Sequence, residues 1–208
     1  MSVRRSRCNL AILLFLALSV VAGADDKDGG ISNEMPGHKI PGQRYSSIRE
    51  IDFRNAPILR LVGDDEKYYW ATLRRGSFER LYKHGGGDEI GLESVRYLKT
   101  AQGKELALVR LRWITVGGSS SPQGVVMVIG LDDEGLPIVR QQIEYNVRGA
   151  DEDEVGARFN PANGRLRISA VHSWEHCCPH DRIVITFQWT GEKFVPVGRK
   201  ISPLRHPQ

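Results

Sequence analysis

Cysteine is scarce in this chain, three in 208 residues. Cys8 lies in the basic N-terminal segment, and Cys177 and Cys178 are neighbours. Two adjacent cysteines cannot staple distant parts of a fold, so stability has to come from a hydrophobic core. Long apolar runs are also missing. The longest, residues 10–21, has 12 residues, short of the roughly 20 needed to cross a bilayer. No charge of one sign dominates once the N-terminus is set apart. The formal net charge is +4, from 29 basic and 25 acidic residues. Arg4, Arg5 and Arg7 carry three of the basic charges, which leaves 26 against 25 in the rest of the chain. That balance does not point to nucleic acid. Nor is there a G-x-S-x-G elbow, a G-x-x-x-x-G-K-[ST] loop or a G-x-G-x-x-G fingerprint.

The N-terminus has the layout of a secretory signal peptide: three arginines, the apolar run, then the small residues Ala22-Gly23-Ala24. Cleavage is expected after Ala24, which predicts an exported protein, periplasmic or extracellular, with no membrane span in the mature chain. The Arg4-Arg5 pair raises twin-arginine export. Ser6-Arg7-Cys8-Asn9 lacks the apolar residue expected after such a pair, so Sec-type export is the reading adopted.

Residues 25–45 hold Asp25-Asp26-Lys27-Asp28-Gly29-Gly30, Pro36, Gly37, Pro41 and Gly42 without periodic apolar residues, and read as a flexible linker. The β domain is expected over 46–201, with a tail at 202–208. Within the domain the hydrophobic period is two. Ile183, Ile185, Phe187 and Trp189 alternate with Arg182, Val184, Thr186 and Gln188. Leu166, Ile168 and Ala170 alternate with Arg165, Arg167 and Ser169. Val109, Leu111 and Trp113 share one face, and Arg110 and Arg112 the other. Val125-Val126-Met127-Val128-Ile129 is continuous and suits a central strand covered on both sides. Further strands are expected near 48–53, 68–73, 78–81, 90–98, 137–144, 155–159 and 194–199. Asp132-Asp133-Glu134-Gly135, Asn160-Pro161-Ala162-Asn163-Gly164 and Thr190-Gly191-Glu192-Lys193 supply turn residues between such runs. No helical period holds beyond the leader. The expected fold is all-β: a single antiparallel β-sandwich or curved sheet of about ten strands after the signal peptide.

Several landmarks occur in order: Asp52-Phe53-Arg54-Asn55, then Leu73-Arg74-Arg75-Gly76-Ser77-Phe78, Gly117-Gly118-Ser119-Ser120 and Cys177-Cys178-Pro179. The pattern resembles a group of secreted bacterial β-proteins of unknown function with a D-F-x-N opening and a C-C-P turn. The resemblance covers most of residues 48–200 and implies fold and export, with no activity attached. Such proteins often carry a D-x-x-x-D-G turn that looks like a cation loop. Lys99-Thr100-Ala101-Gln102-Gly103 keeps the glycine here and lacks the carboxylates, so the resemblance implies no calcium site.

Chemistry is concentrated in residues 172–181, which hold His172, His176 and His180, both late cysteines, Glu175 and Asp181. Three readings stand open. Cys177 and Cys178 form a vicinal disulfide in an oxidising compartment, with Pro179 stiffening the turn. Alternatively, His172, His176 and His180, with or without the thiols, hold zinc or copper. The third is a reducible disulfide engaged in thiol exchange. His172-Ser173-Trp174-Glu175-His176 also matches H-x-x-E-H, but that mechanism needs a helix and the flanks alternate as strands. Asp151-Glu152-Asp153-Glu154 reads as a solvated loop, without the spaced ligands and turn glycine of a calcium loop. Tyr68-Tyr69-Trp70 must point to both faces of a strand. Tyr69 and Trp70 are therefore candidate contacts for a glycan or protein ligand, against the alternative that both faces are covered.

The functional expectation is an exported, non-catalytic β module with a binding or structural role at the cell envelope. The alternative is a metal-dependent or thiol-disulfide enzyme centred on 172–181.

Overall fold

The computed structural model describes residues 30–62, 67–83, 85–116, 122–147, 155–171 and 181–204. The described chain is all-β, with thirteen strands and one 3-10 turn. The central layer is a seven-stranded antiparallel sheet. It contains β1 (Ile31–Glu34), β2 (His38–Lys39), β5 (Ser77–Leu81), β6 (Gly87–Lys99), β7 (Glu105–Val116), β8 (Pro122–Leu131) and β9 (Pro137–Asn146). Their spatial order is β1-β9-β8-β7-β6-β5, with β2 also pairing with β9. A hairpin of β3 (Pro57–Val62) and β4 (Tyr68–Thr72) lies on one face of this sheet. A four-stranded sheet in sequence order, β10 (Gly156–Asn160), β11 (Arg165–Val171), β12 (Asp181–Trp189) and β13 (Phe194–Pro203), lies on the other.

The period of two explains this layering. In β8, Val125, Met127 and Ile129 point into the cluster shared with the hairpin, while Val126 and Val128 point into the cluster shared with the four-stranded sheet. All five are at most 1 % exposed, which is why this run has no polar alternation. Burial of each such side chain stabilises the fold by about 1.5–3 kcal/mol. In β7, Val109 and Leu111 face the hairpin with Trp113 packed beside them, as the sequence pattern requires. In the four-stranded sheet Leu166, Ile168, Ala170, Ile183 and Phe187 face inward. The three expected turns fall between β8 and β9, β10 and β11, and β12 and β13.

Three expectations need correction. Residues 31–39 are not linker: Ile31 pairs with Tyr145 and His38 with Val139, so β1 and β2 line one edge of β9. Pro36 and Gly37 fall between β1 and β2, so the paired residues keep the backbone groups that an open sheet edge can bond. The stretch near 48–53 is not a strand. Ser47 caps a 3-10 turn, Ile48–Glu50, by accepting from the Arg49 amide at 3.3 Å. Ile48 and Ile51 are both buried at a spacing of three, the 3-10 repeat, not two. At the other end β13 runs to Pro203 and Leu204 is buried, so the fold extends into the expected tail. A strand at 57–62, with consecutive buried Ile58 and Leu59 at a register shift, completes the hairpin to β4.

Two sequence landmarks meet in space. Asp52 accepts from the Arg54 amide at 3.0 Å and from Asn55 Nδ2 at 2.7 Å, forming a local turn that buries Phe53. Asn55 Oδ1 then accepts the Arg75 amide at 2.9 Å, and the Arg54 carbonyl accepts the Gly76 amide at 2.8 Å. Arg75 and Gly76 form the two-residue link from Arg74 to Ser77, with φ of 56° and 90°. Such a tight link needs positive φ at both positions, and Arg75 is the one non-glycine with positive φ among the described residues. The turn at 52–55 clamps it there.

Candidate functional site

Beyond the register shift at Pro57/Leu59, the β3–β4 hairpin alternates its side chains between two faces. Leu59, Leu61, Tyr69 and Ala71 share the face toward the seven-stranded sheet, and Arg60, Tyr68 and Trp70 share the other, where the half-buried Trp70 still packs against the core cluster. Tyr68 is 63 % exposed. The Arg60 guanidinium carbon stacks 4.0 Å from the centre of the Tyr68 ring. Arg60 Nη1 also lies 3.0 Å from Nε2 of His38 on β2. His38, Lys39, Arg60, Tyr68 and Trp70 together line a shallow pocket of about 260 Å³. Lys39 is turned to Asp132, with Nζ 2.8 Å from Oδ2. The lining is therefore two aromatic rings, one with a guanidinium stacked on it, and an imidazole against that guanidinium. No carboxylate is among the five lining residues.

Such a shelf offers two kinds of recognition at once. Aromatic faces accept the C–H face of a sugar ring or another flat group. An arginine whose plane is already held by stacking loses less freedom when it binds a carboxylate or phosphate in a fork.

Tyr69, the other aromatic expected to contact ligand, is not on the shelf. Its hydroxyl donates to Asp88 Oδ2 at 2.8 Å, and its ring packs beside Phe78 with centroids 6.2 Å apart. Asp88 on β6 is 2 % exposed and also accepts from the Tyr82 hydroxyl and, at 2.9 Å through Oδ1, from Trp113 Nε1. Three donors on three strand segments therefore converge on one carboxylate. Burial, then the bond to Asp88, drives the Tyr69 phenol far above its ordinary range, and burial raises Tyr82 in the same way. Both remain neutral donors. Arg80 lies 4.1 Å from the Tyr69 ring centre and 5.6 Å from that of Tyr82, covering the cluster. With both oxygens engaged, Asp88 fastens β4 to the sheet and so sets where Trp70 and Tyr68 emerge. Sequence reasoning passed over Asp88. The available signal was an aspartate at the start of a long strand, where aspartate is disfavoured.

A larger groove of about 990 Å³ lies where the turns at 100–104, 132–135 and 190–192 meet residues 45–48. Three of its lining carboxylates are ion-paired. Arg49 bonds Glu105 through two nitrogens at 2.7 and 2.9 Å, Lys39 bonds Asp132, and Arg44 reaches Glu134 at 3.5 Å. Those contacts hold the carboxyls of Glu105 and Asp132 below their ordinary values. The groove is lined by turn residues and charged side chains, in contrast with the aromatic shelf.

His172, His176, His180, Cys177 and Cys178 lie outside the described residues. Their flanks are described: β11 and β12 pair with Val171 opposite Arg182, so the segment connects adjacent antiparallel strands. Among the described residues, no three His, Cys, Asp or Glu side chains group to hold a metal ion. No described helix is long and apolar enough to cross a membrane.

The fold and shelf together define a layered, antiparallel all-β domain. No family model, curated protein or solved structure matches the chain.

Proposed function

We propose that this protein is an exported, non-catalytic binding module of the cell envelope, and that its ligand is a glycan bearing acidic sugars, held on the shelf of His38, Arg60, Tyr68 and Trp70. The observation carrying this reading is the exposed Tyr68 ring with Arg60 stacked on it at 4.0 Å and His38 against Arg60 at 3.0 Å. A sugar ring stacks on the aromatics while its carboxylate meets the guanidinium. Asp88, the one buried carboxylate among the described residues, is occupied in holding β4. Titration with a uronic-acid oligosaccharide and with its neutral counterpart tests the assignment. Tyr68→Ala and Arg60→Gln should each weaken the acidic ligand by roughly tenfold, and only Tyr68→Ala should weaken the neutral one. Unchanged affinity in both variants removes the assignment.

The export half of the proposal rests on the three-part N-terminal segment, and the vicinal disulfide on the adjacency of Cys177 and Cys178 in an oxidising compartment. Intact mass of the protein recovered outside the cytoplasm should begin at Asp25. It should also be short by the two thiol hydrogens and resist alkylation. Native mass carrying zinc or copper, with both thiols alkylated after denaturation, would instead move the site to His172, His176 and His180.

A further inference from the structure

Away from the shelf, the outer face of the four-stranded sheet carries a segregated charge pattern. Cross-strand partners share a face, so the register identifies its residues. Arg158 on β10 stands directly opposite Arg167 on β11, and Arg167 opposite Thr186 on β12. Arg165 lies two residues from Arg167 on the same face, opposite Asn160 and Gln188. Lys200 on β13 stands opposite Val184, which is itself opposite Ser169. Arg158, Arg165, Arg167 and Lys200 are all exposed. Their direct cross-strand neighbours Asn160, Thr186, Gln188 and Val184 are neutral. Arg182, two residues from Val184, is a further cation on this face, and none of the four stands opposite a carboxylate among the described residues. By contrast, the ion pairs Lys39–Asp132, Arg44–Glu134, Arg49–Glu105 and Arg110–Glu93 all lie outside this sheet.

Like charges directly opposite one another on a sheet are unfavourable. Among the described residues no carboxylate stands opposite any of these four to relieve that repulsion. The four residues lie on the outward side of one sheet. They line none of the grooves described above, and neighbouring side chains stand about 5–7 Å apart along and across the strands. A linear polyanion is ordinarily tracked by a charged groove, whereas cations spread over a sheet surface outside any groove suit phosphates that are themselves spread over a surface.

We propose that this face docks on an anionic phospholipid surface, through Arg158, Arg165, Arg167 and Lys200. The site is separate from the shelf, so neither reading depends on the other.

The test is flotation of the protein, as recovered from its own cells, with vesicles of phosphatidylcholine alone and with roughly a third phosphatidylglycerol. Binding is expected on the anionic vesicles only. It should fall as salt shortens the screening length toward about 3 Å at 1 M. Arg158→Gln with Arg167→Gln should lower the partition coefficient about 25-fold, about fivefold for each charge near the surface. The thermal midpoint should stay the same or rise. Arg54→Gln with Lys104→Gln removes the same charge elsewhere and should leave partitioning near wild type. Any contribution from the apolar segment 10–21 is common to all variants. Equal binding to neutral vesicles, no binding to either, or undiminished anionic binding by the Arg158/Arg167 variant overturns the proposal. So does tight capture of soluble polyphosphate without vesicle partitioning, which would assign the face to a linear polyanion.

Discussion

Asn55 Oδ1 accepts the backbone amide of Arg75 at 2.9 Å, joining two turns twenty residues apart in sequence. Arg75 sits at φ 56°, a conformation that an L-residue with a long side chain seldom adopts. The bond from Asn55, with the Arg54 carbonyl on Gly76, holds it there. Asn55→Ala should therefore destabilise the protein by about 1 kcal/mol. Arg75→Gly, which removes the local strain, should recover more stability in the Asn55→Ala background than in wild type. Urea midpoints of the four proteins in this cycle measure the coupling. Simple additivity would show that the two turns are independent.

Asp88 holds three donors with two oxygens. Asp88→Asn keeps the shape but replaces one acceptor oxygen by a donor, leaving Tyr69, Tyr82 and Trp113 to compete for what remains. The expected loss is roughly 2–4 kcal/mol, with an unchanged urea m-value if the fold is kept. Tyr69→Phe made on top of Asp88→Asn should destabilise much less than Tyr69→Phe alone. Equal effects in both backgrounds would mean that Asp88 does not organise the cluster.

Tyr145 lies across Gly124, its partner on the neighbouring strand, and a methyl group built at 124 would overlap the end of the phenol ring. The ring is buried against the second core cluster and has little room to retreat. Gly124→Ala should destabilise by about 1–3 kcal/mol through overpacking, although alanine ordinarily improves a strand. Tyr145→Phe should leave that penalty in place, whereas Tyr145→Leu should reduce it. Differential calorimetry of the single and double variants distinguishes these outcomes.

Glu144 gives the pH prediction. Burial raises its carboxyl, with nearby Glu34 adding to the shift and the bond from Gln142 Nε2 at 2.6 Å opposing it. A carboxyl raised in the folded state favours folding when protonated. Its contribution therefore improves as pH falls through the folded value, and at neutral pH its charge is a liability. Glu144→Gln should raise the thermal midpoint at pH 7, and the gain should shrink to nothing by about pH 4. Glu50, Asp52, Glu105 and Asp132 are shifted the other way by their hydrogen bonds. Their contribution is present above the ordinary carboxyl range and lost as pH falls through their lowered values. A lower midpoint for Glu144→Gln at pH 7 would contradict the assignment.

Much of the β-sheet was legible because the period of two reports which side of a strand is buried. The alternation from 182 to 189 identified β12, and the unbroken apolar run in β8 already implied cover on both faces. Residues 48–53 misled because Ile51 and Phe53 are spaced by two, whereas Ile48, three before Ile51, belongs to the 3-10 turn capped by Ser47. At the candidate site, adjacency in Tyr68-Tyr69-Trp70 required the side chains to split between two faces, but the pattern did not say which face was solvent. Trp70 lines the shelf, Tyr69 turns to Asp88, and Tyr68 is the exposed ring.

Local order in this protein is written in the sequence: alternation sets strand faces, and the turn residues at 132–135, 160–164 and 190–193 set hairpins between neighbours. Tertiary structure alone decided which distant segments share an edge or a site. β1 and β2 join β9 from a hundred residues away, Asp88 gathers donors from 69, 82 and 113, and His38 meets Arg60. The reason is physical. Apolar periodicity records burial, a property of each residue and its near neighbours. Edge pairing uses backbone groups that nearly every residue carries, so it leaves no signature in the side chains.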